Sequence, residues 1–172
     1  MRLALALHPD CRCDAVSSID VEVTQPTPGM LALDYVVTGA IGDLLLPSVT
    51  APARADELWQ RSCFEAFLRV PSDEAYQELN FSPSTQWAVY RFSGYRSGMR
   101  DAEVPSPRIE TRSSANSFEM HVALAQIPAF PLRLALSAVI EETNGRKSYW
   151  ALAHPAGKPD FHHPDSFVCE LP

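Results

Sequence analysis

At 172 residues, with 46% hydrophobic and 20% charged side chains, the chain is long enough to bury a sizeable core and reads most simply as one domain, residues 1–172. A net charge of −7, with only 14 Lys and Arg, excludes the clustered basic surface that a nucleic-acid partner or an anionic membrane requires. The skew of 7 Gly against 15 Pro suits strands joined by proline-punctuated loops better than helices.

The first predicted strand is Arg2–Leu7, an apolar run too short for a signal sequence and followed by no cleavage site. No later run approaches the length of a membrane span. A cytoplasmic location is expected, with Cys11, Cys13, Cys63 and Cys169 as free thiols. The Cys11-x-Cys13 spacing is poor for a mutual disulfide, and no second close pair completes a zinc site. Residues 19–24 alternate and predict a second strand. After the turn Pro26-Thr27-Pro28-Gly29, residues 30–38 predict a third, with Leu31, Leu33, Tyr35 and Val37 in step. Residues 43–46 are a further short apolar run, and residues 54–59 suit one helical turn.

Residues 58–96 organise the chain. They hold Trp59 and Trp87, and three strands follow one another at 63–70, 76–82 and 87–92, separated by Pro71-Ser72-Asp73 and Ser82-Pro83-Ser84. Period-two alternation puts Phe64, Ala66 and Leu68 on one face and Cys63, Glu65 and Phe67 on the other. In the next strand Gln77, Leu79 and Phe81 oppose Glu78, Asn80 and Ser82. A carboxylate such as Glu65 among apolar neighbours needs a partner or a wet cavity. Arg91 and the Glu78/Asn80/Ser82 face are its expected neighbours. Glu65, Asn80 and Arg91 are expected to face one shared space, a polar-lined concave sheet face that receives a ligand. The bland alternative is a solvated outer face.

Residues 96–107 read as a long loop. A hairpin is predicted over 108–112 and 117–124, then a helical turn at 124–127. Residues 132–142 form a long strand that turns at Asn144-Gly145, the strongest hairpin signal in the chain, into 147–153. Residues 154–165 are a loop, and 166–171 the last strand. These amount to about eleven short strands, an all-β antiparallel sandwich or barrel.

His8-Pro9, His154-Pro155 and His163-Pro164 read as turn formers, and H-E-x-x-H spacing is absent, so no metal site is expected. Neither G-x-S-x-G nor a phosphate-cradling glycine loop occurs, and Cys63 with a distant His is too generic to make a dyad. Trp59, Trp87, Trp150 and Tyr149 could stack on a sugar or a porphyrin, or could simply fill the core.

The segments LWQRSCFEAFL, ELNFSPSTQWAVYRFSGYR, LSAVIEE and YWALAHPAGKPDFHHPD resemble the bacterial DOMON-like proteins, relatives of the DOMON ligand-binding domains and of the family 9 carbohydrate-binding modules. The resemblance implies a β-sandwich of ten or eleven strands with a pocket against one sheet, taking haem or a sugar. Haem would call for a Met with a His, and Met30, Met99 and Met120 align with no such position. A sugar would call for stacking aromatics and polar neighbours, which Trp59, Trp87, Glu65, Asn80 and Arg96 could supply. The expectation is a non-catalytic domain, without cofactor, binding a carbohydrate or sugar derivative. Haem binding is the alternative, and a structural or interaction module the third class. The expected ligand-binding residues are Trp59, Glu65, Asn80, Trp87, Arg91, Arg96, Tyr149, His154, Asp160 and His162. The loop from His154 to His163, stiffened by Pro155, Pro159 and Pro164, is expected to rim the pocket, with Asp160 or His162 touching the ligand.

Overall fold

Alternating apolar and polar residues become strands wherever Pro, Gly, Asn and Asp bound them. The computed structural model describes residues 1–128 and 131–172. Its strands are β1 (Arg2–Leu7), β2 (Val16–Thr24), β3 (Met30–Gly39), β4 (Cys63–Arg69), β5 (Tyr76–Phe81), β6 (Trp87–Phe92), β7 (Arg100–Asp101), β8 (Arg108–Ser113), β9 (Ser117–Ala125), β10 (Leu132–Glu141), β11 (Lys147–Ala151) and β12 (Cys169–Leu171). They pair antiparallel in the order β7-β6-β5-β4-β10-β11-β1-β2-β3-β9-β8, and β12 adds to β10.

The sheet folds over at β1. Residues Arg2 to Leu5 pair with β2, whereas Ala6 and Leu7 pair with β11. One layer is then β1-β2-β3-β9-β8 and the other β7-β6-β5-β4-β10-β11. Between them lie Leu31, Leu33, Tyr35 and Val37 of β3 and Phe118, Met120 and Val122 of β9. They meet Phe64, Ala66 and Leu68 of β4 and Leu134, Leu136, Ala138 and Ile140 of β10. Phe64 sits between Tyr35 and Phe118, with ring centroids 5.1 and 5.8 Å away. Each such large apolar side chain, fully buried, contributes about 1.5–3 kcal/mol. The Tyr35 hydroxyl donates to the Glu65 carbonyl at 3.2 Å, pinning β3 to the back of the strand that carries the site.

The second layer is covered on both faces, which is why β10 is apolar nearly throughout. On its outer side Phe67, Tyr76, Ala88, Tyr90, Phe92 and Ala135 form a smaller cluster closed by Phe167 and Phe161 from the segment after β11. That segment therefore packs down on the sheet.

Several elements differ from those predicted. The short apolar run at 43–46 overlaps a 3-10 turn at Ile41–Asp43 and makes a single bridge from Leu44 to Glu142. The helical turn predicted over 54–59 is a 3-10 turn at Leu58–Gln60, entered through Glu57 at φ 58. The one predicted at 124–127 is absent, because β9 runs on to Ala125 and the chain turns at Gln126 with φ 57. The loop over 96–107 contains β7, which extends β6 by the pair Tyr90–Asp101. The final strand is only β12, since Pro164–Ser166 is a 3-10 turn. Gly39 is required where β2 begins, because a Cβ there would collide with the Ala15 carbonyl oxygen. No described helix is long and apolar enough to cross a membrane.

Candidate functional site

Strand register decides which side chains meet on the outer face of the second layer. Glu65 stands opposite Asn80 and Ser137, Phe67 opposite Glu78, Glu78 opposite Tyr90, and Val139 opposite Tyr149. Directly paired residues point to the same side, so Glu65, Glu78, Asn80, Tyr90, Phe92, Val139 and Tyr149 share this face. Three connections rise above it: the 3-10 turn carrying Trp59, the turn after β6 carrying Arg96 and Met99, and the segment carrying Pro159, Phe161 and His162. Together they enclose a cavity of about 520 Å³. Trp59, 50% exposed, stands at its mouth. Lys147 donates from Nζ to the Gln60 carbonyl at 2.6 Å and so ties β11 to the turn that presents Trp59.

The floor is ionisable and buried. Glu65 is 3% exposed and accepts from Ser137 Oγ at 3.0 Å. Burial pushes its carboxyl up to about 8, the nearby Glu78 charge adds to this, and the Ser137 hydrogen bond opposes it. Near neutrality Glu65 is therefore mostly protonated. Burial raises Glu78 as well, against the Asn80 amide, which donates to Oε1 at 2.8 Å, and the Arg96 charge.

His162 lies over Phe67, Tyr76 and Phe92, edge-on to each. Its Nδ1 is 2.7 Å from the Tyr76 hydroxyl, and that oxygen accepts from the Arg96 backbone N–H at 3.3 Å. Burial pushes the Tyr76 phenol up to about 12, so it keeps its proton and donates it to Nδ1. The imidazole then carries its own proton on Nε2, which faces Glu78 Oε2 at 3.6 Å. Burial, together with the Arg96 charge, lowers His162 to about 4, so the ring is neutral at pH 7.

Asp160 fastens the covering segment to the turn after β6. Its carboxylate accepts from Arg96 Nη2 at 2.7 Å, from the Tyr95 hydroxyl, and from the His162 backbone N–H at 3.2 Å. Burial works against the charged form, but the Tyr95 and Arg96 hydrogen bonds outweigh it and hold the carboxyl below its usual range. Arg96 takes this position with a left-handed backbone, φ 49.

Of the residues singled out from sequence, Trp59, Glu65, Arg96, Tyr149 and His162 line the cavity. Asn80 lies buried behind Glu78, and Asp160 stands behind Arg96. The other three lie elsewhere. Arg91 pairs with Gln77 and Arg100 on the opposite side of the sheet and is exposed, so it shares no space with Glu65 and Asn80. A shift of one residue along a strand reverses the face, and Tyr90 holds the inward position instead. Trp87 is also on the core side, where the Arg54 guanidinium sits 4.8 Å from its ring centre. His154 is at the seam between β1 and β11, donating from Nε2 to the Ala6 carbonyl at 2.8 Å and packing edge-on to His8. Glu78, Tyr90, Phe92, Met99, Val139, Lys147, Pro159 and Phe161 complete the lining and were not singled out. Alternation puts Glu78 beside Asn80, Met99 enters only as a haem ligand, Pro159 and Phe161 enter only as part of the expected rim loop, and nothing local marks Lys147. Among the described residues no cluster of three or more His, Cys, Asp and Glu could hold a metal ion.

No protein-family model and no curated protein matches the chain significantly. Solved structures do. A "putative carbohydrate-binding protein" from Bacteroides uniformis matches with a TM-score of 0.67 at 12% identity, over 97% of this chain and 84% of that one. A family 9 carbohydrate-binding module from Caldicellulosiruptor kristjanssonii, in complex with glucose, matches at 0.52 and 12% identity, over 86% of this chain and 72% of that one. A family 9 carbohydrate-binding module from the same organism, in complex with cellotriose, gives 0.55 and 11%, over 89% and 74%. At such identities the likeness establishes the fold, an antiparallel carbohydrate-binding-module sandwich, and not the ligand.

Proposed function

We propose that the chain is a non-catalytic binding domain for a carbohydrate or sugar derivative, held in the cavity over β4, β5, β6 and β11. The carrying observation is the pairing of a half-exposed Trp59 at the mouth with the buried polar floor of Glu65 and Glu78. A sugar ring has an apolar C–H face and a periphery of hydroxyls. Trp59 and Tyr149 offer surfaces for the first, and Glu65, Glu78, Arg96 and the His162 Nε2–H offer donors and acceptors for the second. A protonated Glu65 can donate as well as accept. The volume of about 520 Å³ is in the usual range for small-molecule sites. The sugar complexes of the structural neighbours support the same ligand class. The narrower resemblance to DOMON-like proteins belongs to this proposal, as does a cytoplasmic location, which four unpaired thiols support.

Haem, the competing ligand, fits these residues poorly. Met99 and His162 both line the cavity, but neither His162 nitrogen presents a free lone pair to iron, since Nδ1 accepts from the Tyr76 hydroxyl and Nε2 carries the ring proton. No cofactor is included in the proposal.

Titration calorimetry of the protein with glucose, cellotriose and other small saccharides tests the reading. Binding is expected, weakened by Trp59→Ala. Absence of heat with every saccharide, together with a Soret band after haem addition, would replace it with the haem reading.

A further inference from the structure

We propose that the ligand of the cavity is a cationic sugar, an amino sugar whose ammonium sits over Glu65 and Glu78. This rests on the saccharide reading and names the class of saccharide.

The two carboxyls are diagonal neighbours on adjacent strands, since Glu65 is opposite Asn80 and Glu78 is two residues before it. Such positions are about 7 Å apart, and both side chains reach the same cavity. A single ammonium can therefore bridge them. They are 3% and 6% exposed, which is rare for glutamates without a cation beside them.

Among the described residues no cation is hydrogen-bonded to either glutamate, although the Arg96 charge acts on Glu78. Arg96 is engaged by Asp160, and Lys147 is tied to the Gln60 carbonyl at the mouth. His162 is neutral, for the reasons given above. Arg61, the next cation along, pairs with Glu141. The other titratable groups on this face are Cys63, Tyr76, Tyr90 with its partner Asp56, Tyr149 and Asp160, none of them cationic, while Arg69 stacks on Phe167 and Arg133 pairs with Glu170 at the far end of β4 and β10. Glu65 uses Oε2 for Ser137, and no described residue donates to its other oxygen. Glu78 gives Oε1 to Asn80, and its Oε2 has only the 3.6 Å approach of His162.

A neutral sugar would be served as well by amides, which carry no desolvation cost of this size. Two carboxyls gain most over amides when they meet a positive charge, where both partners of the hydrogen bond are ionised. The walls favour one too, because the ring faces of Trp59, Tyr90, Phe92 and Tyr149 are electron-rich. The net charge of −7 also draws a cationic ligand in. Because Glu65 holds a proton near neutrality, ammonium binding must expel it. The protonated carboxyl becomes a carboxylate paired with the ligand, and the proton passes to the buffer.

The test is calorimetric titration at pH 7 with glucosamine, glucose and N-acetylglucosamine, in two buffers of different ionisation enthalpy. Glucosamine is expected to bind at least about tenfold more tightly than the two neutral sugars, with release of up to about one proton per ligand. Glu65→Gln, isosteric with the protonated side chain, should abolish the proton release and weaken glucosamine by roughly 30-fold or more. A thermal melt confirms that this variant is folded, and Glu78→Gln serves as the second variant. Equal affinity for glucose and glucosamine without proton release overturns the cationic class and leaves saccharide binding standing. Failure of all three sugars, and of glucosamine and cellotriose oligomers, overturns both.

Discussion

Replacing Glu65 by Gln should change how the fold responds to pH. In the folded chain this carboxyl sits at about 8 against an ordinary 4.5. The folded-state value is the higher one, so the stability of the fold is complete with respect to Glu65 below about pH 4.5. It drains away as pH rises through about 8. The full difference corresponds to about 5 kcal/mol at 1.36 kcal/mol per pKa unit, a ceiling because water entering the cavity solvates the carboxylate. A loss of about 2–3 kcal/mol between pH 5 and 9 is the working expectation. Gln keeps the acceptor for Ser137 Oγ and cannot ionise. Urea denaturation of both proteins at pH 5, 7 and 9 reports on Glu65 together with its coupling to Glu78, because titrations remote from the cavity floor are common to the two. The variant should gain on the wild type steadily with pH. Parallel stability profiles would refute the assignment of a buried, reluctant acid to the cavity floor.

Other expectations follow from the same geometry. Trp59→Ala should weaken saccharide binding by about tenfold while shifting the melting temperature little, since the ring is half exposed and absent from the core. Asp160→Asn should loosen the covering segment, raising its amide hydrogen exchange and weakening ligand binding; global stability should fall by no more than about 1 kcal/mol, the scale of a partly exposed ion pair. His162→Ala removes a ring packed on Phe67, Tyr76 and Phe92, so it should cost fold stability as well as binding, and Asp160 is the cleaner probe of the rim. Phe64→Ala should cost about 3–5 kcal/mol in chemical denaturation, because Phe64 links the two layers through Tyr35 and Phe118.

Much of the fold was legible because alternation is strong where a strand has one buried face. The faces of β4 and β5 read correctly from Phe64, Ala66 and Leu68 against Glu65 and Phe67, and from Leu79 against Glu78 and Asn80. The site was legible only as far as that register carried. Arg91 was assigned to the wrong side because β6 is apolar on both faces, Ala88 and Tyr90 on one and Trp87 and Val89 on the other, leaving no alternation to orient it. Trp87 misled for the same reason, its burial in the core being as consistent with the sequence as exposure in a pocket. Met99 and Phe161 reach the cavity from separate connections and Lys147 from the start of β11, and only tertiary structure brings these together. His154 was one of several histidines in proline-flanked turns, and sequence offered no way to separate its seam position from the placement of His162 over the sheet.

The three tryptophan indoles give the most direct test of where a saccharide binds. Trp59 is at the cavity mouth, Trp87 is buried in the core beneath Arg54, and the Trp150 Nε1–H donates to Ser148 Oγ at 3.0 Å. In a nitrogen–proton correlation spectrum recorded through a saccharide titration, the Trp59 indole resonance should move saturably while those of Trp87 and Trp150 stay in place. Three unmoved indoles at saturating saccharide, or movement of Trp87 in place of Trp59, would contradict saccharide binding in this cavity.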